Sequence, residues 1–587
     1  MRILLTTLHS KYIHSSLALQ YLRNYCQNMV ENIDIKEYTI NHDLDYVLSE
    51  IYKGKHEIVC FSCYIWNIAQ TMSIARNLKK INPKITIILG GPEVSFDAQE
   101  LLQMNPFVDY IVMGEGEVTF KELLSYLTKR QGDLRTIQGI AYRMNESIFM
   151  TEERRLMQEL DTISSPFANG LEGYDNRIIY YESSRGCPHN CRYCLSSTIK
   201  GVRFFSIDRV KKDMDIFLSA RVKQVKFVDR TFNAKKSHCL EIMKYLHRND
   251  NGITNFHFEI TADLLDEEIL DFLSSVREGL FQFEVGVQTT YDMTMEAIDR
   301  KVDFGKLSQT VKIIAGYKNI HLHLDLIAGL PYETFQRFRL SFDEVYHLKP
   351  EKLQLGFLKL LKGSGIRQDE KLHEYTYREE PPYEVLGNRY ITYEEMLHIK
   401  MMEEMVEHYY NTHGFDHGIE FILNRFYDSP ASFYLDLGQF WEARGYHHTA
   451  HGRNALYEIL LNFYTEKKWD ELDYFCELLK LDYLKQGKST VPHFFHPIDE
   501  EGFRNKIHQF LQDQGNVIKY LPQYEGLPAK QIIKKVHFES FRYDVLRSFE
   551  EKEKTPVEKE PTILLFDYEL DHKVFAKSKV YKIDLEG

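Results

Sequence analysis

Two successive alternations of short apolar strands with amphipathic stretches constrain this chain more than any other feature of its sequence. In the first, strands are predicted at Ile3–Thr7, Ile33–Thr39, Ile58–Ser62, Ile85–Leu89 and Tyr110–Met113. Strands that are separated by helices pair in parallel, which predicts an α/β, doubly wound (Rossmann-like) sheet. Ligands of such sheets bind outside the carboxyl ends of the strands, so the loops that follow these strands define one candidate site.

Small and polar residues occupy those loops. They are Thr7, His9, Ser10, Ser62, Cys63, Tyr64, Gly90, Gly91, Pro92, Glu93, Gly114, Glu115 and Gly116. The glycines permit close approach of the backbone to a ligand, whereas Thr7, Ser62 and Glu93 offer hydrogen bonds. The loops therefore suit a bulky ligand that is rich in amide groups.

The second alternation begins near residue 178. Its predicted strands are Ile178–Glu182, Gln224–Val228, Phe256–Ile260, Phe281–Val287, His321–Ile327 and Leu353–Phe357. Six such strand-helix units predict a partial (β/α)6 TIM-type barrel whose site lies at the carboxyl ends of the strands. We accordingly expect a Rossmann-like domain at 1–140, a linker at 141–177, a barrel at 178–380 and a mainly helical domain at 385–587. The last ends in a hairpin of Thr562–Tyr568 and Lys573–Ile583.

Three cysteines form the strongest chemical signal. Cys187, Cys191 and Cys194 follow one another at C-x3-C-x2-C spacing. Thiolates are the natural ligands of iron–sulfur clusters, and three of them leave one iron of a four-iron cluster open. A structural zinc site prefers four ligands, but the next cysteine along the chain is Cys239. The motif predicts a cluster, with a zinc knot or unliganded thiols as the alternative.

The bulk properties limit the classes of partner. The 587 residues carry a formal charge of −13, which argues against a broad nucleic-acid-binding surface. No apolar run approaches the roughly 20 residues that a membrane-spanning helix requires. A strand-like segment, and not an export signal, follows Met1. Eight cysteines are too few for a disulfide scaffold in a chain of this length, so we expect a cytoplasmic protein with no membrane partner.

With Tyr193 directly before its last cysteine, the motif closely resembles that of the radical S-adenosylmethionine (SAM) superfamily. The resemblance implies that a [4Fe–4S] cluster on Cys187, Cys191 and Cys194 chelates SAM. Electron transfer from a reductant such as flavodoxin or ferredoxin then cleaves SAM to a 5′-deoxyadenosyl radical. It also implies SAM contacts by Tyr193, Asp229, Gln288, Ile327 and Gly329. The sequence departs from many relatives at Thr261, where they have an arginine, so the anchor of the SAM carboxylate is unassigned.

The N-terminal domain resembles the cobalamin-binding domain that precedes the barrel in one large radical SAM branch. This resemblance implies that the loop residues named above contact cobalamin. The Asp-x-His-x-x-Gly sequence, which supplies an axial histidine in other cobalamin proteins, is absent here and commonly absent from that branch. A flavodoxin-like domain without a ligand is the alternative. A second alternative is the methylthiotransferase branch, which places another cluster on three N-terminal cysteines, and this chain has Cys26, Cys60 and Cys63.

Together these resemblances imply a cobalamin-dependent radical SAM enzyme that methylates an unactivated carbon of an unknown substrate. Cyclisation or rearrangement without net methylation is an alternative within the same branch, and RNA modification of the methylthiotransferase type is another. A non-catalytic cobalamin sensor is a third. The sequence identifies no general acid or base. Its C-terminal third resembles a domain of unknown function, which implies no chemistry.

Overall fold

The computed structural model describes residues 1–29, 32–129, 132–168, 170–174, 176–495, 502–546, 557–568 and 578–585. In the N-terminal region strands and helices alternate as the sequence predicts. The elements are β1 (Ile3–His9), α1 (Leu17–Cys26), β2 (Ile33–Thr39), α2 (Leu44–Lys53), β3 (Ile58–Ser62), α3 (Ile68–Ile81), β4 (Thr86–Gly90), α4 (Pro92–Ser95), α5 (Ala98–Met104), β5 (Tyr110–Val112) and α6 (Gly116–Lys129). All five predicted strands are confirmed.

The strands of this sheet lie in the order β2-β1-β3-β4-β5, and these five pair in parallel. Strand β1 lies between β2 and β3, with Ile3 opposite both Ile33 and Ile58. The strand order reverses at this point, because the chain first adds β2 on one side and then β3 on the other. Ligands of doubly wound sheets bind at such a switch point, beyond the carboxyl ends of the strands.

Both faces of this sheet are buried. Ile3 and Leu5 pack with Leu19 of α1 and with Phe120 of α6. Leu4 packs on the opposite face, in a second cluster that includes residues of α2 and α3. Burial on both faces explains why the inner strands β1, β3 and β4 are largely apolar runs instead of alternating ones.

The sheet continues beyond β5 into a part of the chain that the sequence analysis assigned to a linker. Strands β6 (Ile140–Met144) and β7 (Ser147–Met150) extend it in antiparallel fashion. The prediction of a linker from residue 141 is therefore wrong for 141–150. Three of the four residues of β7 are exposed, so this edge strand lacks the apolar alternation on which strand prediction relies.

A second series of strands and helices follows. Its elements are β8 (Ile179–Tyr181), β9 (Ser184–Cys187), β10 (Gly201–Phe204), α7 (Ile207–Ser219), β11 (Gln224–Phe227), α8 (Lys236–Arg248), β12 (Asn255–Ile260), α9 (Glu267–Ser274), β13 (Phe281–Gln288), α10 (Asp292–Ala297), α11 (Phe304–Tyr317), β14 (His321–Ala328), α12 (Phe335–Tyr346), β15 (Lys352–Phe357), α13 (Gly365–Gln368), β16 (Thr376–Tyr377) and β17 (Val385–Gly387). Strands β8, β11, β12 and β13 lie side by side and pair in parallel. The predicted barrel strands are thus present, and the parallel pairing fits the radical SAM fold.

Contacts between residues divide the chain into two compact units. The first comprises 1–322, 327–334 and 356–392, and the second comprises 323–326, 335–355 and 393–587. The later elements are α14 (Tyr393–Tyr409), α15 (Asp416–Phe426), α16 (Pro430–Ala443), α17 (Arg453–Glu466), α18 (Leu472–Lys485), α19 (Phe503–Gln512), α20 (Gln514–Tyr520), α21 (Ala529–Ile532), β18 (Val536–Phe541), β19 (Thr562–Asp567) and β20 (Lys579–Ile583). This region is mainly helical, as predicted.

The terminal hairpin is formed by β19 and β20, which pair in antiparallel fashion, and β18 adds a third strand beside β19. The first residues of the predicted second strand, 573–577, lie outside the described residues. Within the described parts of the chain, no helix has both the length and the apolar character needed to cross a membrane.

Candidate active site

A cavity of about 580 Å³ lies at the carboxyl ends of the strands of the first sheet. Helix α1 forms part of its wall and begins after Ser16, whose hydroxyl caps the helix by accepting a hydrogen bond from the backbone N–H of Leu19 (3.3 Å). Residues in or just after the first strands of the second series complete the lining: Tyr180, Glu182, Arg185 and Val228. Loops of the first domain and the first strands of the barrel therefore enclose one space.

Eight of the thirteen loop residues that the sequence singles out line this cavity. They are His9, Ser10, Ser62, Tyr64, Gly90, Gly91, Gly114 and Gly116. The other five, Thr7, Cys63, Pro92, Glu93 and Glu115, are not among its lining residues in the described structure. The tertiary structure also adds residues that no motif indicated, including His14, Trp66 and Tyr180.

The deep part of the cavity is apolar. Leu5, Leu19, Leu22, Cys60, Ile88, Val112 and Phe120 line it, between the sheet and helices α1 and α6. A Cβ atom added at Gly116 would approach Leu22 Cδ2 to 3.3 Å, so the glycine keeps this slot open. A polar mouth above an apolar slot suits a large ligand with one flat hydrophobic part, and cobalamin fits this description.

Gly91 has a structural role that its sequence context did not reveal. Its φ of 110° lies in a region that favours glycine, and an added Cβ would lie 2.5 Å from the carbonyl oxygen of Cys63. Any side chain here would therefore collide with the backbone of the neighbouring loop. A substitution of Gly91 is therefore expected to disturb the folding of this loop, so an effect on ligand binding could not be attributed to the ligand site alone.

The two histidines of the cavity are held by neighbouring side chains. His9 Nε2 lies 3.2 Å from Glu37 Oε1, and His14 Nδ1 lies 2.6 Å from the hydroxyl of Tyr180. Burial lowers the pKa of His14, and the positive charges of His9, Lys11 and Lys226 lower it further. A neutral His14 therefore links a loop of the first domain to the first barrel strand.

Two aromatic rings face each other on the loop that follows β3. Tyr64 and Trp66 stack with their ring centroids 4.5 Å apart and an angle of 4° between the ring planes. Asn67 ties this loop to the end of β1, since its side chain accepts a hydrogen bond from the backbone N–H of Tyr64 and donates to Thr7 and Leu8. The stacked pair gives the cavity a flat, rigid wall.

Two carboxylates that were expected to contact cobalamin form bonds with side chains from other parts of the chain. The Glu93 carboxylate accepts a short hydrogen bond from the Tyr383 hydroxyl and lies 3.4 Å from Lys362 Nζ. Glu115 forms ion pairs with Arg203 (2.6 Å) and Arg185 (3.8 Å). Burial would raise the pKa of Glu115, but these two arginines lower it below its ordinary value. Both carboxylates therefore join loops of the first domain to distant segments of the chain.

The three cysteines lie on the hairpin loop between β9 and β10. Gly186 sits in this hairpin with a φ of 99°, and an added Cβ would overlap the carbonyl oxygen of Gly201. Cys187 Sγ lies 3.5 Å from Thr231 Oγ1, and Cys194 Sγ accepts a hydrogen bond from the backbone N–H of Ser196 (3.4 Å). These polar contacts help to position the two sulfur atoms within the loop.

Arg300 adds a positive charge beside these sulfur atoms. Its Nη1 lies 3.6 Å from Cys191 Sγ and 3.3 Å from the hydroxyl of Tyr193, and its Nη2 donates a short hydrogen bond to the Gly286 carbonyl. Its buried Nε has no hydrogen-bond partner among the described residues. Burial raises the pKa of Cys191, whereas Arg300 opposes that effect. Nothing in the sequence around Arg300 relates it to the cysteines, so this contact was not predicted.

No group of three or more His, Cys, Asp or Glu side chains in the described residues is arranged to hold one metal ion. In an iron–sulfur cluster, each thiolate ligates a separate iron. The fit of this loop therefore rests on its donor chemistry: three thiols, hydrogen bonds to two of them and an adjacent guanidinium. These features suit a cluster that carries net negative charge.

Asp229 lies beneath the cysteine loop and is buried. Its carboxylate accepts hydrogen bonds from the backbone N–H (2.9 Å) and hydroxyl (2.7 Å) of Ser183 and from the hydroxyl of Ser184 (2.5 Å). Burial raises the pKa of Asp229 to about 6, and these hydrogen bonds oppose the rise. The geometry thus assigns Asp229 to support of the strand that leads to Cys187, whereas its SAM contact stays a prediction.

Among the other residues with expected SAM contacts, Tyr193 lies in the cysteine loop, and Gln288, Ile327 and Gly329 lie at or directly after the ends of β13 and β14. Gln288 ends β13 with a φ of 71°, and its buried Oε1 has no hydrogen-bond partner in the described structure. The Gly329 carbonyl accepts hydrogen bonds from Asn388 (2.9 Å) and Tyr375 (3.3 Å). Ile327 and Tyr193 pack against the same apolar cluster. An unpartnered buried amide oxygen near Arg300 is the arrangement that a polar cofactor would complete.

The N-terminal cysteines do not form a comparable group. Cys26 and Cys60 belong to the apolar cluster on one face of the first sheet, whereas Cys63 belongs to the cluster on the opposite face. Burial raises the pKa of Cys26 to about 12. Their placement gives no support to a second cluster of the methylthiotransferase type.

Comparisons with known families agree with this geometry. The B12 binding domain model matches residues 3–124, and the Radical SAM superfamily model matches residues 181–345. The chain carries a B12-binding domain and a radical SAM domain. A third family, a protein of unknown function (DUF4080), matches residues 371–566. The cavity is thus lined by residues of the B12-binding domain together with residues at the start of the radical SAM domain.

Two relatives and one solved structure place the chain among similar proteins. It is 27% identical over 345 residues to the cobalamin-dependent radical SAM methyltransferase TokK of Streptomyces tokunonensis, covering 55% of this chain and 50% of that protein. It is 25% identical over 403 residues to the 2-(S-pantetheinyl)-carbapenam-3-carboxylate methyltransferase of Streptantibioticus cattleyicolor, covering 65% of this chain and 58% of that protein. The chain therefore spans between half and three fifths of the length of these two relatives.

The structural match is with the cobalamin-dependent S-adenosylmethionine radical enzyme OxsB, whose structure holds aqua-cobalamin and S-adenosylmethionine. The TM-score is 0.58 at 13% sequence identity, and the match covers 82% of this chain and 78% of that one. At this identity the likeness supports the fold.

Proposed function

We propose that this protein is a cobalamin-dependent radical SAM methyltransferase that acts on an unactivated carbon atom. The observation that supports this best is the shared cavity. Residues of the B12-binding domain, such as Gly90 and Tyr64, and residues of the radical SAM domain, such as Glu182 and Val228, line one space. Transfer of a methyl group to a carbon radical needs both sites to act on the same substrate, which a shared cavity allows.

When bound, the cluster with SAM supplies a 5′-deoxyadenosyl radical, and cobalamin supplies the methyl group. Cys187, Cys191 and Cys194 would hold the cluster, and the apolar slot would hold the flat base of cobalamin. Gln288 and Arg300 would orient the polar groups of SAM, because both carry a buried polar atom without a partner in the described structure. Tyr64 and Trp66 would exclude water from the cavity wall, which protects a radical from unwanted hydrogen donors.

The experiment is anaerobic incubation of the reconstituted protein with cobalamin, a chemical reductant, cell extract and SAM that carries a deuterated methyl group. We expect 5′-deoxyadenosine and a product that gains the labelled methyl group, both detected by mass spectrometry. About four irons and four sulfides per chain are expected. The variant Cys191→Ala should lose the iron, whereas Cys239→Ala should keep it, since Cys239 is buried in α8, away from the cysteine loop.

A second variant separates the cobalamin site from the cluster. Leu22→Trp should fill the slot and weaken cobalamin binding at least tenfold, while the iron content stays unchanged. Gln27→Trp, at the exposed end of α1, is the matched control and should bind cobalamin normally. The proposal is refuted if Cys191→Ala retains its iron, or if Leu22→Trp still binds cobalamin and forms labelled product at the rate of the unsubstituted protein.

A further inference from the structure

One face of the second sheet is unusually polar for a barrel. Residues at alternate positions of four neighbouring strands are partly exposed: Tyr180, Lys226, Glu259, Gln282 and Glu284. The residues between them, including Val225, Phe227, Phe258, Phe281 and Phe283, are buried. Barrels of the TIM type usually fill their interior with branched apolar side chains. Here the partly exposed face is lined with charge and reaches water.

Most charges on this face are paired with one another. Lys226 Nζ lies 3.0 Å from Glu284 Oε2, and His257 Nε2 lies 3.0 Å from the same oxygen. Burial lowers the pKa of Lys226, but the nearby carboxylates of Glu284 and Glu259 outweigh burial and raise the pKa above its ordinary value. Paired charges create a polar surface without a free charge for a ligand.

Arg230, just after the end of β11, differs from these residues because its charge is not paired within the described structure. Its side chain is exposed, and its guanidinium forms no hydrogen bond or ion pair with any described residue. Its neighbours in the chain hold its backbone in place: Asp229 is bonded to Ser183, and Thr231 contacts Cys187 Sγ at 3.5 Å. The backbone that carries Arg230 is thus held directly beside the cysteine loop.

Arg230 lies close to residues that line the cavity. It lies within electrostatic reach of the Tyr64 hydroxyl, which belongs to the cavity lining, and of the Glu259 carboxyl on β12. Val228, two residues before Arg230, lines the cavity, and Thr231, the next residue, contacts the cysteine loop. Arginine binds carboxylate and phosphate groups through two parallel hydrogen bonds, so an unpaired arginine in this place selects for an anion.

We propose that Arg230 binds a carboxylate or phosphate group of the substrate, and that the substrate is a polar, water-soluble anion. This proposal rests on the proposed methyltransferase function. The same chemistry could come from the carboxylate of SAM or the phosphate of cobalamin. The experiment must therefore distinguish the substrate from the two cofactors.

The first measurement is cofactor binding by the variants Arg230→Gln and Arg230→Lys, with Arg248→Gln as the matched control. Arg248 is also an exposed arginine, but it lies at the end of α8, on the outside of the barrel. We expect all three variants to bind SAM and cobalamin within about twofold of the unsubstituted protein, with unchanged iron content. A loss of tenfold or more in the affinity for either cofactor would assign Arg230 to that cofactor and overturn the proposal.

The second measurement locates the product. Cell extract is divided into an organic phase, an aqueous fraction retained by an anion exchanger and an aqueous fraction that is not retained. Each is incubated with the enzyme and methyl-deuterated SAM. We expect labelled product in the retained fraction, reduced at least tenfold with Arg230→Gln, mainly through a higher KM, and partly restored with Arg230→Lys.

Two outcomes would contradict the proposal in distinguishable ways. Labelled product that forms only in the organic phase or in the unretained fraction overturns the anionic substrate while the methyltransferase function stands. No labelled product in any fraction, together with continued formation of 5′-deoxyadenosine, overturns the methyltransferase function and with it the role of Arg230.

Discussion

At the end of β11, one buried carboxylate supports the chain segment that leads to the cysteine loop. Asp229 accepts three hydrogen bonds from Ser183 and Ser184, and Ser184 is the first residue of the strand that ends at Cys187. His238 contacts the same hydroxyl of Ser183 at 3.3 Å. Because all these groups are buried, each depends on the others for a partner.

This arrangement predicts the effect of Asp229→Asn. The asparagine amide has one acceptor oxygen where three donors converge, so at least one buried donor loses its partner. We expect the free energy of unfolding, measured with urea, to fall by about 1–3 kcal/mol. Iron content after reconstitution should fall as well, because the strand that carries Cys187 is less well held.

The matched control is Asp271→Asn, at an exposed position of α9. It should change the free energy of unfolding by less than about 0.5 kcal/mol. Unchanged stability together with unchanged iron content in Asp229→Asn would show that the carboxylate does not support the loop. A selective loss of SAM affinity would instead support the direct contact between Asp229 and SAM that the sequence predicts.

Among the elements, the segment from the end of β15 to β17 links the two halves of the candidate site. Lys362 Nζ lies 2.8 Å from Asp97 and 3.4 Å from Glu93, both in the B12-binding domain. A few residues later, the Ile366 backbone N–H donates to the Arg192 carbonyl (2.8 Å), within the cysteine loop. One short stretch of chain therefore contacts both the loop after β4 and the loop that would hold the cluster.

Lys362→Met tests this link. The substitution leaves the buried Glu93 without its nearby cation, and we expect a loss of about 1–3 kcal/mol in the free energy of unfolding. Hydrogen exchange of residues 92–97 should accelerate, and cobalamin should bind less tightly. Lys359→Met, at an exposed position of the same segment, is the control and should leave all three quantities unchanged. Equal exchange rates in the two variants would contradict a role for Lys362 in holding this loop.

On the scale of the whole molecule, the second unit combines segments that are distant in sequence. Helix α12 comes from the sequence range of the barrel, and its Asp343 accepts hydrogen bonds from the Ser429 hydroxyl (2.6 Å) and the Ala431 backbone N–H (2.7 Å). Asn411 donates its side-chain amide to the Leu353 carbonyl (2.9 Å). The region matched by the DUF4080 family thus supplies partners for residues 335–355.

We therefore expect a chain that ends at Thr392 to be unstable. It would expose the face of α12 that packs on α16, where the rings of Phe342 and Tyr434 lie 5.8 Å apart. Purification should yield aggregated protein or protein without iron, as judged by gel filtration and iron analysis. The point variant Asp343→Ala should show a graded loss of about 1–3 kcal/mol in the free energy of unfolding. A monodisperse, iron-containing chain of residues 1–392 would contradict this expectation.

The sequence by itself determined the features that depend on neighbouring residues. Apolar β-branched runs predicted the strands of the first sheet, because burial on both faces of a parallel sheet requires continuous apolar side chains. In the second sheet apolar residues alternate with polar ones, as in β13, because one face of that sheet is partly exposed. The cysteine motif predicted that the three thiols lie close together, since Cys187, Cys191 and Cys194 fall within eight residues. Eight of thirteen predicted loop residues reached the cavity, because the carboxyl ends of parallel strands meet at one edge.

Only the tertiary structure decided which distant side chains meet. Arg300 reaches Cys191 across 109 residues, and Tyr383 reaches Glu93 across 290 residues. No local pattern encodes such contacts, because they depend on how whole elements pack. The same reason explains why Glu93 and Glu115, which have the same local setting as the cavity residues, instead form ion pairs: the arginines and the lysine that neutralise them come from elsewhere in the chain.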